Sequence, residues 1–285
     1  MPRSFHVFHH VFHDCRRDVI VRLIPRRPFD SPAICGVVGV IGLFCLAEAA
    51  GRLELISPAQ VPLASAILAT AAGLATDLDF LADVVATAGG WALGLLTAAT
   101  LAVPAGLLLA SLPPIERALR PVLEFLRPIP SVALIPLATF LFSDRLEMKV
   151  AMIVYASAWP ILINTIYGLR EVDPLAKETL RAFGFGPAMV LWKVSLPSAA
   201  PFIATGVRVA AAIALILAVS TELLAGGSRG IGHFILLAES SPDGLQLTIA
   251  ATMWAGWLGL VTNGLLALLT RRAFRWHTAN VEAAR

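Results

Sequence analysis

The stretch KETLRAFGFGPAMVLWKVSLPSAAP, residues 177–201, is the most polar interior segment of a chain that is otherwise mostly apolar. An apolar run of membrane length lies on each side of it. Charged residues cluster at its start, two glycines and a proline follow, and Leu196-Pro197 begins the next apolar run. A polar insert between two spans predicts a segment that is presented to a soluble partner.

The composition predicts an all-α integral membrane protein. The 285 residues are 58% hydrophobic and 14% charged, with a mean hydropathy of +0.79, whereas soluble domains carry roughly a quarter charged residues. One soluble core cannot bury this apolar excess, so the lipid bilayer is the expected solvent. The net charge is only +3, and the arginines lie at span ends instead of on one continuous face. No nucleic-acid partner is therefore expected.

Six runs have the length and apolarity that a transmembrane helix requires, which is about 20 residues. They cover residues 33–50, 80–112, 129–142 (extended backwards by an amphipathic segment, 115–126), 148–168, 199–225 and 245–270. A further apolar stretch at 62–76 is rich in alanine and is predicted to be too short to cross.

The distribution of basic residues predicts that both termini are cytosolic. With six spans, 17 of the 22 Lys and Arg residues lie in the segments on the side of the termini and one, Arg208, lies within a span. The other four are assigned to the opposite side: Arg52, Arg145, Arg229 and Lys149, the last at the very start of the fourth run. A seventh span at 62–76 would move 11 of them to the outside, against the positive-inside rule. The 177–201 stretch is then cytosolic.

Two small patterns inside the spans concern packing. Gly90 and Gly94 form a small-xxx-small pair, which predicts close helix packing within the bundle. Pro104, Pro136 and Pro160 each remove a backbone donor and are expected to bend their helices.

Cysteines and histidines do not predict a metal site. Cys15, Cys35 and Cys45 form no metal-binding spacing. Four histidines lie in the N-terminal tail, where i,i+4 pairs are available but no further ligands complete a site, so we expect no metal there: His6, His9, His10 and His13.

The spacing within the polar stretch resembles a known docking loop. Glu178 lies six residues before Gly184, Pro197 lies thirteen after it, and Val194 and Leu196 complete the pattern. It resembles the cytoplasmic loop of the membrane subunits of bacterial ABC importers, which reads Glu-Ala-Ala, three residues, Gly, nine residues, Ile-x-Leu-Pro. Thr179 and Leu180 here replace the alanines, and Val194 replaces the isoleucine.

Other segments resemble the nitrate/sulfonate/taurine branch of these permeases, over about residues 79–276. They include 126–137, 159–165, 172–174, 205–208 and Glu222 with the later Gly-Ile-Gly at 230–232. The segment 140–149 departs from the branch, which often has a Gly-rich turn there.

The resemblance implies a type I ABC importer permease fold in the bacterial inner membrane, with no catalytic activity of its own. Its partners would be two ABC ATPase subunits, which bind ATP and Mg²⁺, a second copy of this chain in a homodimer, and a periplasmic binding protein. The domains would be a cytosolic tail (1–32), the first span with a periplasmic segment (33–78), the transport domain (79–270) and a second tail (271–285).

The ATPase would dock on residues 171–198, the coupling loop. A short helix in an ATPase groove needs charged residues on its exposed face and a glycine where the chain turns away, and Gly186-Pro187 is expected to stop one helix and start the next. The chain itself has no Gly-x-x-x-x-Gly-Lys-Ser/Thr motif for nucleotide. The candidate loop residues are Lys177, Glu178, Arg181, Ala182, Gly184, Gly186, Val194, Leu196 and Pro197.

Polar residues inside the spans are candidates for the translocation path or a gate. Glu222 is interpreted as a cap or as part of an outer gate, together with Thr221. Arg208 either extends to the interface or lines an anion path. Asn164, with Thr165, is expected to bond between helices, or to line the path.

Alternative functions remain at this point. An ion-gradient transporter would show an internal repeat and mid-membrane carboxylates, and an intramembrane protease would need a Gly-x-Ser-Gly or His-Glu-x-x-His motif; the sequence has none of these. The resemblance favours a small organic anion such as a sulfonate or taurine, or nitrate, with a pyrimidine or thiamine precursor as the alternative.

Overall fold

The computed structural model describes residues 32–53 and 61–274, and every regular element within them is helical. Two irregular turns accompany the helices: a 3₁₀ turn at Ser131–Leu134 and a π turn at Leu191–Ser195. The helices are α1 (Pro32–Arg52), α2 (Ala64–Leu74), α3 (Leu78–Ser111), α4 (Pro113–Leu126), α5 (Ile135–Leu141), α6 (Arg145–Arg170), α7 (Pro174–Ala182), α8 (Pro187–Val190), α9 (Leu196–Ala225), α10 (Ile231–Ala238) and α11 (Gly244–Ala273).

Five of the described helices are long and apolar enough to cross a membrane, and there are six candidates if the bent pair formed by α4 and the 131–141 segment is one span. The predicted all-α membrane fold is confirmed, with five or six candidate spans in the described residues. The stretch predicted to be too short to cross forms α2, which has only 11 residues. The tail with the four histidines and Cys15 lies outside the described residues.

The described residues fall into two compact units, which divide after Ser65. In the first unit, Glu48 of α1 is the acidic residue of an apolar helix. Its carboxylate accepts hydrogen bonds from Arg52 Nε at 2.8 Å and from the backbone and hydroxyl of Ser65 at 2.9 Å. These donors satisfy a charge that would be costly in hydrocarbon.

In the second unit, a stripe of small residues on α3 packs against α6. The stripe repeats every four residues, so its members share one helix face, and all of them are buried: Gly90, Gly94, Ala98, Ala102 and Gly106. A Cβ at Gly94 would lie 2.6 Å from Ile153 Cγ2, and one at Gly106 would lie 2.8 Å from Thr165 Cβ. The close packing predicted from the glycine pair is confirmed, and α6 is its partner.

A second set of small residues lets α9 approach α6 in the same way. A Cβ at Gly206 of α9 would lie 2.9 Å from the Pro160 carbonyl oxygen, and one at Gly168 of α6 would lie 2.7 Å from Phe202 Cβ. α6 is therefore held between α3 and α9. Because lipid tails provide no hydrophobic force between helices, such close contact is the main source of their attraction.

The third span differs from its prediction. The sequence predicts that the amphipathic segment extends the span, but α4 and the 131–141 segment meet at 79°. Pro128 and Pro130 lie at this break, and neither can donate the backbone hydrogen bond that a continuing helix needs. The two parts of the span therefore follow different directions.

The packing between α3 and α6 makes Gly94→Ala destabilising. The new Cβ would overlap the buried Ile153, so we expect a loss of roughly 1–3 kcal/mol, as for overpacked cores. Gly89→Ala is the matched control, because Gly89 lies in the same helix with no neighbouring atom within 4 Å. Thermal unfolding of both variants in detergent measures the difference, and equal melting temperatures would contradict the packing.

Candidate functional site

The coupling loop begins with α7, whose two ends are capped by local hydrogen bonds. At its start, the Asp173 carboxylate accepts from the Leu175 backbone N–H at 2.8 Å. At its end, the Gly184 N–H donates to the Arg181 carbonyl and the Phe185 N–H donates to the Leu180 carbonyl, at 2.9 and 3.1 Å. This pair of bonds is the Schellman motif, which requires a residue with positive φ. Gly184 has φ +80°.

The predicted turn at Gly184 is therefore present, but α7 ends earlier than Gly186-Pro187, at Ala182. Pro187 begins α8, as expected from its fixed φ and missing donor.

The second short helix is not separate from the following span. From Pro187 to Ala225 the chain is one continuous helical segment, in which residues 191–195 form a π turn. Pro197 cannot donate to the carbonyl four residues before it, and a wider turn accommodates such a gap. The half-buried Val194, Leu196 and Pro197 thus form a direct helical link between the coupling loop and α9.

The exposed part of the coupling loop combines charged and aromatic side chains. Glu178, Arg181, Ala182, Gly184 and Gly186 are all exposed. Next to them, large apolar side chains also face outward: Phe183 is 78% and Trp192 is 65% exposed.

Lys177 differs from the other charged loop residues. It is half-buried, and its Nζ donates to the Leu169 carbonyl at 3.1 Å. It therefore caps the last turn of α6, which anchors the loop to that helix.

At the opposite end of the bundle, a buried ion pair joins α6 and α9. Lys149 Nζ lies 2.6 Å from Glu222 Oε1, and the two side chains are only 10% and 1% exposed. The other carboxylate oxygen, Oε2, accepts from the Thr87 hydroxyl at 2.9 Å and from the Gly232 backbone N–H at 3.0 Å. Both oxygens of Glu222 are thus satisfied, as a buried charge requires.

The turn between α9 and α10 closes over this pair. Gly230 has φ +141°, and a Cβ there would overlap the Glu222 carboxylate. The Gly230 N–H donates to Asp83 Oδ1 and the Ile231 N–H to Thr87 Oγ1, both at 2.9 Å. Residues of α3, α6 and α9 and the turn itself therefore meet at one buried polar cluster, formed by Asp83, Thr87, Lys149, Glu222 and the 230–232 backbone.

This geometry refines the sequence interpretation of Glu222. It does cap a helix, but the helix is α10 and not its own span, because Gly232 lies in the first turn of α10. A cavity of about 360 Å³ lies beside the ion pair, with Arg145 and Arg229 among its lining residues.

Sequence reasoning missed Lys149 as the partner, since it was counted among the basic residues outside the spans. The sequence does contain a feature that could have predicted the pair. Lys149 and Glu222 lie in different apolar runs near the same side of the membrane, where each charge would be costly without a partner.

The other intramembrane candidates lie apart from the buried polar cluster or bond elsewhere. Thr221 lines the adjoining cavity, but its hydroxyl donates to carbonyls of its own helix. Arg208 Nε donates to Asn263 Oδ1 of α11 at 2.8 Å.

The expected interhelical bonds of Asn164 and Thr165 are wrong. Both side chains donate to the carbonyls of Pro160 and Ile161, four residues earlier on α6, because the short side chains reach their own backbone first.

The buried ion pair predicts strongly non-additive substitutions. Lys149→Met or Glu222→Gln alone leaves one buried charge without its partner, so each should destabilise by roughly 3 kcal/mol or more. The double variant removes both charges and should lie within about 1 kcal/mol of the wild type. Thermal unfolding of the four proteins in detergent measures this cycle, and additive losses would show that the two charges do not interact.

Known proteins resemble this chain in sequence and in fold. The bicarbonate transport system permease protein CmpB of Synechocystis sp. is 28% identical over 253 residues, covering 86% of this chain and 89% of that protein. The nitrate import permease protein NrtB of Leptolyngbya laminosa is 30% identical over 200 residues, covering 70% and 71%. The inward-facing MetNI methionine ABC transporter aligns with a TM-score of 0.57 at 19% identity, over 68% of this chain and 94% of that chain.

The structural match supports the fold alone, and it is the predicted fold of an ABC importer permease. Residues 102–275 match the family described as binding-protein-dependent transport system inner membrane component. This match covers more than half of the chain and includes the coupling loop, α9 and α11. The chain therefore belongs to this family of multi-pass membrane subunits of ABC importers.

Proposed function

We propose that this chain is the permease subunit of an ATP-driven importer for small anions in the bacterial inner membrane. Two copies form the translocation path, a periplasmic binding protein delivers the solute, and two separate ATPase subunits dock on the coupling loops. ATP and Mg²⁺ bind to those ATPases, and this chain does not catalyse a reaction. The single observation that carries the proposal is the coupling loop, with its motif spacing on an exposed, capped helix.

The surface of the loop supports docking to a soluble protein. Exposed charged residues surround the Gly184 turn, where a Cβ would have no neighbouring atom within 4 Å, and Phe183 and Trp192 lie exposed beside it. Aromatic residues are enriched at interfaces, where they fill pockets on the partner.

The link between the loop and the spans supports mechanical coupling. Residues 187–225 are one continuous helical segment, and Lys177 attaches the start of the loop to the end of α6. In the proposed cycle, ATP closes the two ATPases together and each moves its docked loop. The loop then tilts α6 and α9, which pack closely through Gly168 and Gly206, as one body.

The relatives support a small anion as the solute. The two relatives described above are named for bicarbonate and nitrate. A sulfonate or taurine, which the family resemblance favours, shares with them a compact negatively charged oxygen group. A cationic or large neutral solute is not suggested by these names.

Replacing Gly184 with aspartate tests the docking role of the coupling loop. The positive φ strains any other residue, and the added side chain would occupy the turn that faces the ATPase. We expect the rate of uptake by the assembled transporter to fall roughly tenfold or more, which corresponds to a free-energy difference of about 1.4 kcal/mol. The variant should insert into the membrane normally. Ser240→Asp adds the same charge at an exposed position at the other membrane end. Uptake of labelled nitrate, bicarbonate and taurine that is unchanged in Gly184→Asp would refute docking at this loop.

The proposed topology places the coupling loop in the cytosol and the turn after α10 in the periplasm. In a chain whose native cysteines are replaced by serine, we expect Ser240→Cys to react with a membrane-impermeant maleimide in intact spheroplasts. Thr179→Cys, which is equally exposed, should react only in inside-out vesicles. If Thr179→Cys reacted in intact spheroplasts and Ser240→Cys reacted only in inside-out vesicles, the topology would be the reverse of the proposed one. The prediction from the positive-inside rule would then be wrong.

A further inference from the structure

We infer that a cavity at the break in the third span is a binding site for one small oxyanion on the translocation path. This central cavity has a volume of about 430 Å³ and lies between the α4–Ser131 break and the middle of α6 and α9. The inference rests on the proposed function, because it specifies where a transported anion would bind.

The break lies about midway along α6, and Arg127, Pro128 and Pro130 are exposed there. The Tyr155 hydroxyl donates to the Leu126 carbonyl at 3.1 Å, so the end of α4 is level with the middle of α6. At helical rise, Tyr155 is about 15 Å from one end of α6 and about 22 Å from the other. Irregular backbone at such depth is tolerated only where it is buried in protein or lines a polar cavity. Transporters use broken helices of this kind to build solute sites.

The polar side chains of the central cavity suit an anion. They are a guanidinium, a hydroxyl, an indole N–H and an amide, from Arg127, Ser131, Trp159 and Asn164, besides the Tyr155 phenol. No carboxylate is among the lining residues. The Tyr155 hydroxyl and one Asn164 N–H already donate to the carbonyls of Leu126 and Pro160, so Arg127 and Ser131 remain available as donors. The set carries one positive charge and no negative charge.

Two of these donors have no protein acceptor in the part of the chain that the structure describes. The Trp159 indole nitrogen is buried without a hydrogen-bond partner, although a buried donor is normally satisfied. Arg127 takes part in no ion pair there, while the nearby carboxylates Glu116 and Glu124 are paired with Arg170 and Arg120. A ligand oxygen in the cavity would pair with the exposed Arg127 guanidinium, whereas the Trp159 nitrogen is enclosed by protein and is not reached from the cavity.

Arg127 is chemically suited to this ligand class. Its guanidinium stays charged at all physiological pH values and matches the planar oxygens of nitrate, bicarbonate or a sulfonate. The remaining walls are apolar, from residues such as Ile129, Ile163 and Ile213, which lowers the local polarity and strengthens a charge-assisted bond. The volume leaves room for the anion together with several waters, at roughly 30 Å³ each.

Of the positions that the sequence predicts for the path, only Asn164 lines the central cavity. Arg208 bonds to α11, and the buried polar cluster with Glu222 lies at one end of the bundle.

Anion binding to the full-length chain in lipid nanodiscs tests the inference. The melting temperature is measured with sodium nitrate, bicarbonate and ethanesulfonate, against sodium chloride at equal ionic strength. At least one of the three oxyanions should stabilise the wild type in a saturable manner. Arg127→Gln should weaken the apparent affinity for that anion roughly tenfold or more, and Arg127→Lys should retain part of it.

Two matched controls separate the site from general effects of charge or aromatic loss. Arg120→Gln removes the same charge from α4, the helix that ends just before Arg127, at an exposed position outside the central cavity, and it should leave the affinity unchanged. Trp159→Phe removes an indole nitrogen that is enclosed by protein beside the cavity, so it should change the affinity by less than about twofold.

Equal affinities in Arg127→Gln and Arg120→Gln, or no stabilisation of the wild type by any of the three oxyanions, would overturn the inference. Neither result would affect the proposed function, which the Gly184→Asp uptake experiment decides independently. Conversely, a transporter that imports none of these anions would refute the proposed anion class, even if the purified chain binds one of them.

Discussion

Close contact between helices that lack bulky side chains at their crossing points is the constraint on which this bundle depends. Hydrocarbon solvent provides little force to drive helices together, so attraction must come from close packing and from polar contacts. The buried stripe of small residues on α3 and the glycines of α6 and α9 permit that approach. Each glycine faces one particular side chain, for example Gly94 against Ile153, and this fixes the register of the helices.

The register of α3, α6 and α9 determines where the buried charges meet. Gly90, the first member of the stripe, lies against the Lys149 side chain. The absence of a side chain at Gly90 leaves room for Lys149 to extend to Glu222. Taking two charges out of water is costly, and a buried pair is weak evidence for stability. A slip of either helix would leave an unsatisfied charge, so we expect the pair to disfavour other arrangements of the three helices and of the 230–232 turn.

The two ends of the bundle are therefore built for different tasks. The buried polar cluster holds one end together through contacts among three helices and a glycine turn. The coupling loop at the other end has exposed charges and aromatics, and it continues as a helix into α9 through a π turn. The central cavity lies between them. In the proposed cycle, a force on the loop reaches the cavity through α6 and α9, while the cluster resists separation of the helices at the far end.

The sequence by itself determined the class of the protein, its long apolar helices and the turn at Gly184. These features depend on properties that are local in the chain: the length of apolar runs, the placement of Lys and Arg, and the conformational freedom of glycine. The motif spacing around Gly184 likewise indicated the family, because a docking loop is one continuous segment.

Only the tertiary structure decided which distant residues meet. Lys149 and Glu222 are separated by 73 positions, and Thr87 and Glu222 by 135, so no local pattern pairs them. The 79° break in the third span was also missed, since apolar length does not reveal direction. Arg127 and Trp159 become neighbours of one cavity through that break. The physical reason is the same throughout: hydropathy identifies what enters the membrane, whereas helix register and bending determine which side chains face each other there.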